Sequence, residues 1–132
     1  MVFQESRILL VKEPGDAGWS LPGGWADVGE SPSEAAARET LEESGYQVRP
    51  IRLLAAYDRD RHGHPPILFH VYKLVYLCEI LEGVPSSDVD SDGARFFGEG
   101  ELPELSVTRV TRAQILRFFE HHRDPALPAD FD

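Results

Sequence analysis

The stretch Gly24-Trp25-Ala26-Asp27-Val28-Gly29-Glu30-Ser31-Pro32-Ser33-Glu34-Ala35-Ala36-Ala37-Arg38-Glu39-Thr40-Leu41-Glu42-Glu43-Ser44-Gly45 decides how this chain is read. Its second half carries the signals of a helix. Ser31 suits an N-cap, Pro32 the first helical position, and Glu34 completes a Ser-x-x-Glu capping box. Ala35, Ala36, Ala37 and Leu41 are strong helix formers, and Gly45 stands where a left-handed cap ends the helix. At about 100° per residue, Glu39, Glu42 and Glu43 share one face, while Ala37 and Leu41 point almost opposite, toward a core. Like charges at i, i+3 and i+4 destabilise a bare helix by a few tenths of a kcal/mol per pair. Arg38 returns part of that through its i, i+4 pairing with Glu42. Two readings stand at this point: a solvated acidic face, or oxygen ligands gathered for a hard divalent cation.

Outward from the helix, Arg7-Ile8-Leu9-Leu10-Val11 is a short apolar strand stopped by Pro14-Gly15, and Trp19 to Trp25 is a turn-rich loop. Strands are expected over Gln47–Tyr57 and Leu68–Ile80. The second is apolar on both faces and is expected to be an interior strand covered on two sides. Between them lies the polar loop Asp58 to Pro66. Arg95-Phe96-Phe97 forms a further strand. Thr111 to His122 is an amphipathic helix with Ile115, Leu116, Phe118 and Phe119 toward the core, and His121 and His122 at its C-terminus suit the dipole. Strands alternating with an early and a late helix make an α/β domain with a mixed sheet between helices.

Bulk properties narrow the function. At 132 residues the chain is a single domain, and 42% hydrophobic with 27% charged residues is ordinary globular composition. A formal net charge of −10 opposes binding to nucleic-acid backbones. It leaves room for a small phosphate-bearing substrate if cations neutralise the site locally. Cys78 is the only cysteine, which excludes an internal disulfide and fits a reducing cytoplasm. No run approaches the ~18 apolar residues of a membrane span, and no export signal opens the chain.

The spacing between glycines settles the helix. Gly24, five residues, Glu30, seven residues, Arg38-Glu39, two residues, Glu42-Glu43, one residue, Gly45 resembles the signature of the Nudix hydrolases. Seven such identities, each at about 6–7% usage, coincide by chance at roughly one starting point in 10⁸. Thr40 and Tyr46 depart from it, standing where aliphatic residues are usual. Arg7–Val11, Trp19–Gly23 and Phe96–Leu105 also resemble segments of that family. The resemblance implies an α/β/α sandwich over residues 1–132 that hydrolyses a diphosphate with water activated by Mg²⁺ or Mn²⁺. Glu39, Glu42 and Glu43, with the Gly23 carbonyl, would hold the metal. Arg38 would orient the glutamates, and Glu30 would fix the loop-helix geometry. The general base would be a box glutamate or an acid on a later loop. Gly93 stands where many relatives have Glu, which leaves Asp92 or Asp90 as substitutes.

The segments Leu21–Glu34 and Tyr57–Pro66 are similar to the ADP-ribose or CDP-choline pyrophosphatase subgroup. That implies a nucleoside diphosphate linked to a second moiety as substrate. A MutT-like triphosphate pyrophosphohydrolase and a non-catalytic sensing module are the alternatives. Arg59 and Arg61 are candidates for substrate phosphate, and Trp25 and Tyr57 for stacking on a base; Phe69 is a further stacking aromatic. A solvated loop and core packing are the competing roles. His62 and His64 lack the partners of a zinc site. Only Met1-Val2-Phe3 precedes the first turn, so part of the first strand is expected to be missing. A shortened sheet edge would favour a homodimer.

Overall fold

A tight hairpin opens the chain. In the computed structural model, which describes residues 1–82 and 93–132, β1 (Phe3–Gln4) folds back on β2 (Arg7–Val11) through Glu5 and Ser6. Both residues have positive φ, 49° and 61°, as a two-residue turn matched to strand twist requires. β2 pairs on its other side with β5 (Ala94–Phe97). The second sheet has the order β4 (Tyr72–Glu82), β3 (Gln47–Asp58), β6 (Asp130–Phe131). β3 and β4 are antiparallel, and β6 runs parallel to β3. A parallel bridge from Val2 to Cys78 joins the sheets, and the Met1 amino group donates to Tyr76 O at 2.7 Å.

Helices α1 (Pro32–Ser44) and α2 (Arg112–Arg123) cover opposite faces. β2 shows this most clearly. Ile8 and Leu10 pack with Leu54, Ile115 and Phe118 on the α2 side. Leu9 and Val11 pack with Val48, Cys78 and Ala37 on the α1 side. This is the expected α/β/α sandwich.

β2 is thus buried on both faces, and the later apolar strand meets that expectation only in its middle, where Val75 and Leu77 pack on the α2 side and Tyr76, Cys78 and Ile80 on the α1 side. β4 starts at Tyr72 rather than Leu68, with β3 on one side and, at Tyr76 and Cys78, the N-terminal residues Met1 and Val2 on the other. Its first residues stay open, with Tyr72 72% and Leu74 43% exposed. At that end the apolar side chains of Tyr72 and Leu74 border a cleft instead of packing into the core.

The helix ends follow the sequence, except that only one half of the box expected at Ser31 and Glu34 forms. Ser31 Oγ accepts the Glu34 N–H at 3.2 Å, and Gly45, at φ 78°, donates to Leu41 O. In α2, Thr111 and Gln114 form a complete capping box. The core-facing side of α1 is rotated from expectation: Ala35, Thr40 and Ser44 are buried, Ala37 is partly covered, and Leu41 is exposed. Thr40 fits its aliphatic position by donating its hydroxyl to Ala36 O at 2.7 Å. Tyr46 fills the other departure, packing edge-on against Phe96. In α2, Ile115, Phe118 and Phe119 are buried, Leu116 only half so. Asp90 and Asp92 lie outside the described residues.

Candidate active site

The loop before α1 is fixed from behind. Ser20 exchanges backbone hydrogen bonds with Val11, and Trp19 is bound between Glu104 and Ser106. This anchoring sets Gly23 and Gly24 against the acidic face of α1. A Cβ on Gly24 would lie 2.8 Å from Glu39 Oε1, so only glycine lets the loop approach that carboxylate.

Arg38 ties loop and helix together. Its Nε and Nη2 grip the two Glu30 oxygens at 2.7 and 2.9 Å, a bidentate pair. Nη2 also donates to Trp25 O, and Nη1 donates to Glu39 at 3.0 Å and Glu42 at 3.1 Å. Glu30 in turn accepts the Asp27 N–H. The Arg38 guanidinium, with that N–H, holds the Glu30 carboxyl at about 2. Arg38 thus touches Glu30, Glu39 and Glu42, and Glu30 sits between the loop and the helix.

Glu43 faces away from Arg38. It accepts the Gly23 N–H at 3.1 Å, and its other oxygen lies 3.7 Å from Arg109 Nη2. That same Nη2 donates to Gly23 O at 2.7 Å, while Nη1 pairs with Glu13 at 3.0 Å. Burial pushes the Glu43 carboxyl up to about 8, against the pull of the Gly23 N–H and Arg109. Glu13 and Arg109 were not foreseen. Neither belongs to the signature, and a single acid after a strand or a single Arg in a loop carries no spacing to mark it.

The three helix glutamates thus share a face but not one point. Among the described residues, the compact trio of possible ligand atoms lies elsewhere, at Asp58, Asp60 and His70 on the polar loop side. That trio is largely exposed, and Asp58 already pairs with His70 and Arg61 and caps Asp60 N.

Beside the glycine loop opens a cleft of about 540 Å³, bounded by Gly23, Trp25, Tyr57, Arg59, Lys73 and Arg109 among others. Trp25 stands at its rim, 67% exposed and edge-on to Phe69. Tyr57 is buried, and its hydroxyl is 3.3 Å from Asp130 Oδ2. Arg59, expected as a phosphate fork, is 3% exposed, and its three nitrogens donate to the carbonyls of Thr108 and Pro65. It pins two loops together. Arg61 lies in a separate depression with Asp58, Tyr72 and Asp132, so the structure does not bring it to the cleft. His62 pairs with Asp132, and His64 Nδ1 lies 2.7 Å from Val107 O; the two are not joined at one site.

A glycine loop abutting a glutamate-bearing helix, set on one side of an α/β/α sandwich, defines the NUDIX domain. The model of that domain matches residues 1–119, and the chain belongs to this family. YjhB of Bacillus subtilis (strain 168), which carries a provisional ADP-ribose pyrophosphatase name, is 43% identical over 131 residues, 99% of this chain and 63% of that protein. An ADP-ribose pyrophosphatase of Methanocaldococcus jannaschii is 32% identical over 112 residues, covering 80% of this chain and 63% of its own length. The chain therefore spans less than two thirds of both curated relatives. The crystal structure of an ADP-ribose pyrophosphatase from Streptococcus suis 89-1591 superposes with a TM-score of 0.84 at 34% identity, over 99% of this chain and 93% of that one.

Proposed function

We propose that this domain hydrolyses the diphosphate bond of a nucleoside diphosphate linked to a second moiety, of the ADP-ribose type, with Mg²⁺ or Mn²⁺. The observation that carries the reading is the Gly23–Glu43 contact set. Glu43 accepts the Gly23 N–H, Glu39 lies against Gly24, and Arg38 links Glu39 to Glu42, so backbone and carboxylate oxygens gather where the loop meets the helix. An all-oxygen donor set of this kind fits a hard divalent cation. Gly23 O, Glu39, Glu42 and Glu43 would hold it. When bound, such an ion would lower the pKa of the attacking water and offset charge on the phosphate oxygens.

The chain's own groups do the rest. Arg38 and Glu30 lock the loop and helix, so the carboxylates keep their positions as substrate enters. Arg109 places a guanidinium beside Gly23 O, at the border of glutamate site and cleft. Trp25 offers an exposed ring at the mouth for a nucleobase, and the buried Tyr57 shapes the wall. Names of the relatives support the ADP-ribose type of substrate. A small nucleotide suits a cleft of this size in a chain of charge −10, where a nucleic-acid polymer does not.

The test is a panel of ADP-ribose, CDP-choline, nucleotide sugars and nucleoside triphosphates with Mg²⁺ or Mn²⁺, scored by product. Two monophosphates from ADP-ribose are expected. Pyrophosphate from a triphosphate, with diphosphates untouched, would favour the MutT-like alternative. Glu43→Gln is expected to lower kcat by at least about 10²-fold. Unchanged turnover of every substrate would remove the catalytic assignment.

A further inference from the structure

Arg59, Lys73 and Arg109 all line the cleft, and they are unequally neutralised. Arg109 has Glu13 and Glu43 as partners. Among the described residues, neither Arg59 nor Lys73 has a carboxylate within ion-pair range. Arg59 at least spends its donors on three hydrogen bonds to carbonyls. Lys73 has one such partner, the Arg109 carbonyl, and two N–H donors remain.

Lys73 projects from the start of β4, opposite Tyr57 in the ladder, and lines the cleft with Gly23 and Trp25. Its ammonium is half-buried beside two like charges. Burial, then Arg59 and Arg109, pull it down to about 8, so it is still mostly protonated at neutral pH. A charge buried without a counter-ion is costly, and none of the acidic residues among the described ones stands against this ammonium. The missing counter-ion is then an anion that enters the cleft. Through the Arg109 carbonyl and guanidinium, Lys73 is also tied to Gly23 O, which sets it next to the glutamate site.

We propose that Lys73 is the positioning residue for the substrate phosphate on the cleft side of the scissile bond. This rests on the diphosphate reading above. Arg59 and Arg61, the arginines that the sequence suggests, do not carry this role. One is consumed by carbonyls and the other lies outside the cleft.

The competing role is structural, with the ammonium only holding the loop at Arg109. Calorimetric binding of AMP and of adenosine, on wild type, Lys73→Met and Lys73→Arg with Mg²⁺ present, separates the two. Neither probe has a diphosphate bond, so nothing is consumed. Wild type is expected to prefer AMP over adenosine by about tenfold or more, as a charged hydrogen bond to phosphate implies. Lys73→Met should erase most of that preference with adenosine affinity retained, and Lys73→Arg should restore much of it. A preference for AMP that survives in Lys73→Met, or a wild type with no such preference, overturns the proposal. So does an equal loss for both probes. If the AMP preference behaves as expected while wild type cleaves no diphosphate, Lys73 stands as a phosphate-binding residue and the hydrolase reading falls.

Discussion

Gly24→Ala should damage function far more than stability. The added methyl group would lie 2.8 Å from Glu39 Oε1 and 2.9 Å from its Cδ. Ordinary contacts of this kind sit near 3.5 Å, so the carboxylate must withdraw by about 0.5–1 Å. Because the clash is with the end of a flexible side chain, the stability cost is about 1 kcal/mol, at the low end for overpacking. The functional cost is larger. Glu39 is held at 3.0 Å by Arg38, and moving it disturbs the face it shares with Glu42. A displacement of ~1 Å at a reacting centre costs on the order of 10²-fold in rate. Gly23→Ala is the internal control, because its Cβ would meet nothing within 4 Å. Initial rates on ADP-ribose across a Mg²⁺ titration, with thermal melts of both variants, measure the contrast. Gly24→Ala should lose ~10–100-fold in kcat/KM and need more Mg²⁺, with Gly23→Ala within a few-fold of wild type. Equal losses in the two variants, or a wild-type Mg²⁺ midpoint in Gly24→Ala, would refute the steric argument.

Two further outcomes concern pH, with opposite signs. The Arg117 guanidinium, helped by His121, holds the Asp130 carboxyl well below the usual range. Its contribution is present above the unfolded pKa of ~3.9 and is lost as pH falls through the folded value. Asp130→Asn should cost about 1.5–3 kcal/mol at pH 7 and flatten the decline in urea-unfolding stability below pH 4; an unaltered acid slope would count against the network. Glu43 runs the other way, since burial raises it to about 8. Between the unfolded value near 4.5 and pH 8 the unfolded state alone releases this proton, so metal-free wild type should lose stability as pH rises there. Glu43→Gln in EDTA should remove that loss and melt higher than wild type at pH 8, and a lower melting temperature would sink this account.

The site was legible where chemistry sits at fixed spacing. Ser31, Pro32 and Gly45 predicted the ends of α1, and the structure has them; the spacing from Gly24 to Gly45 singled out Arg38 and Glu30, which the structure brings together. Burial was less legible because an apolar side chain does not say what covers it. Leu74 and Tyr72 look like core residues but border a cleft, whereas β2, only five residues long, is sealed on both faces. Nothing local marks β6 either. It is two residues held by Asp130 to Arg117, His121 and Tyr57, and by Asp132 to His62 and the Asp58 N–H. Long-range ion pairs of this kind leave no periodicity. Arg59 failed as a phosphate fork for a related reason. Sequence shows a guanidinium in a polar loop, but not the carbonyls that fold back to meet it.

The acidic helix began as an electrostatic conflict, and the structure shows how the fold contains it. The three carboxylates are split between two guanidinium groups that come from different places. Arg38, on the helix itself, takes Glu39 and Glu42 together with Glu30. Arg109, from the loop before α2, approaches Glu43 and takes Glu13. Glu42 is mostly open to solvent, so its charge is screened by water as well. What is left uncompensated falls on Glu43, where burial outweighs the Gly23 N–H and the Arg109 charge. Two arginines suffice to fold the cluster, then, but not to ionise all of it at neutral pH. Under the proposed reading, a divalent cation held by Gly23 O and Glu43 would complete the ionisation.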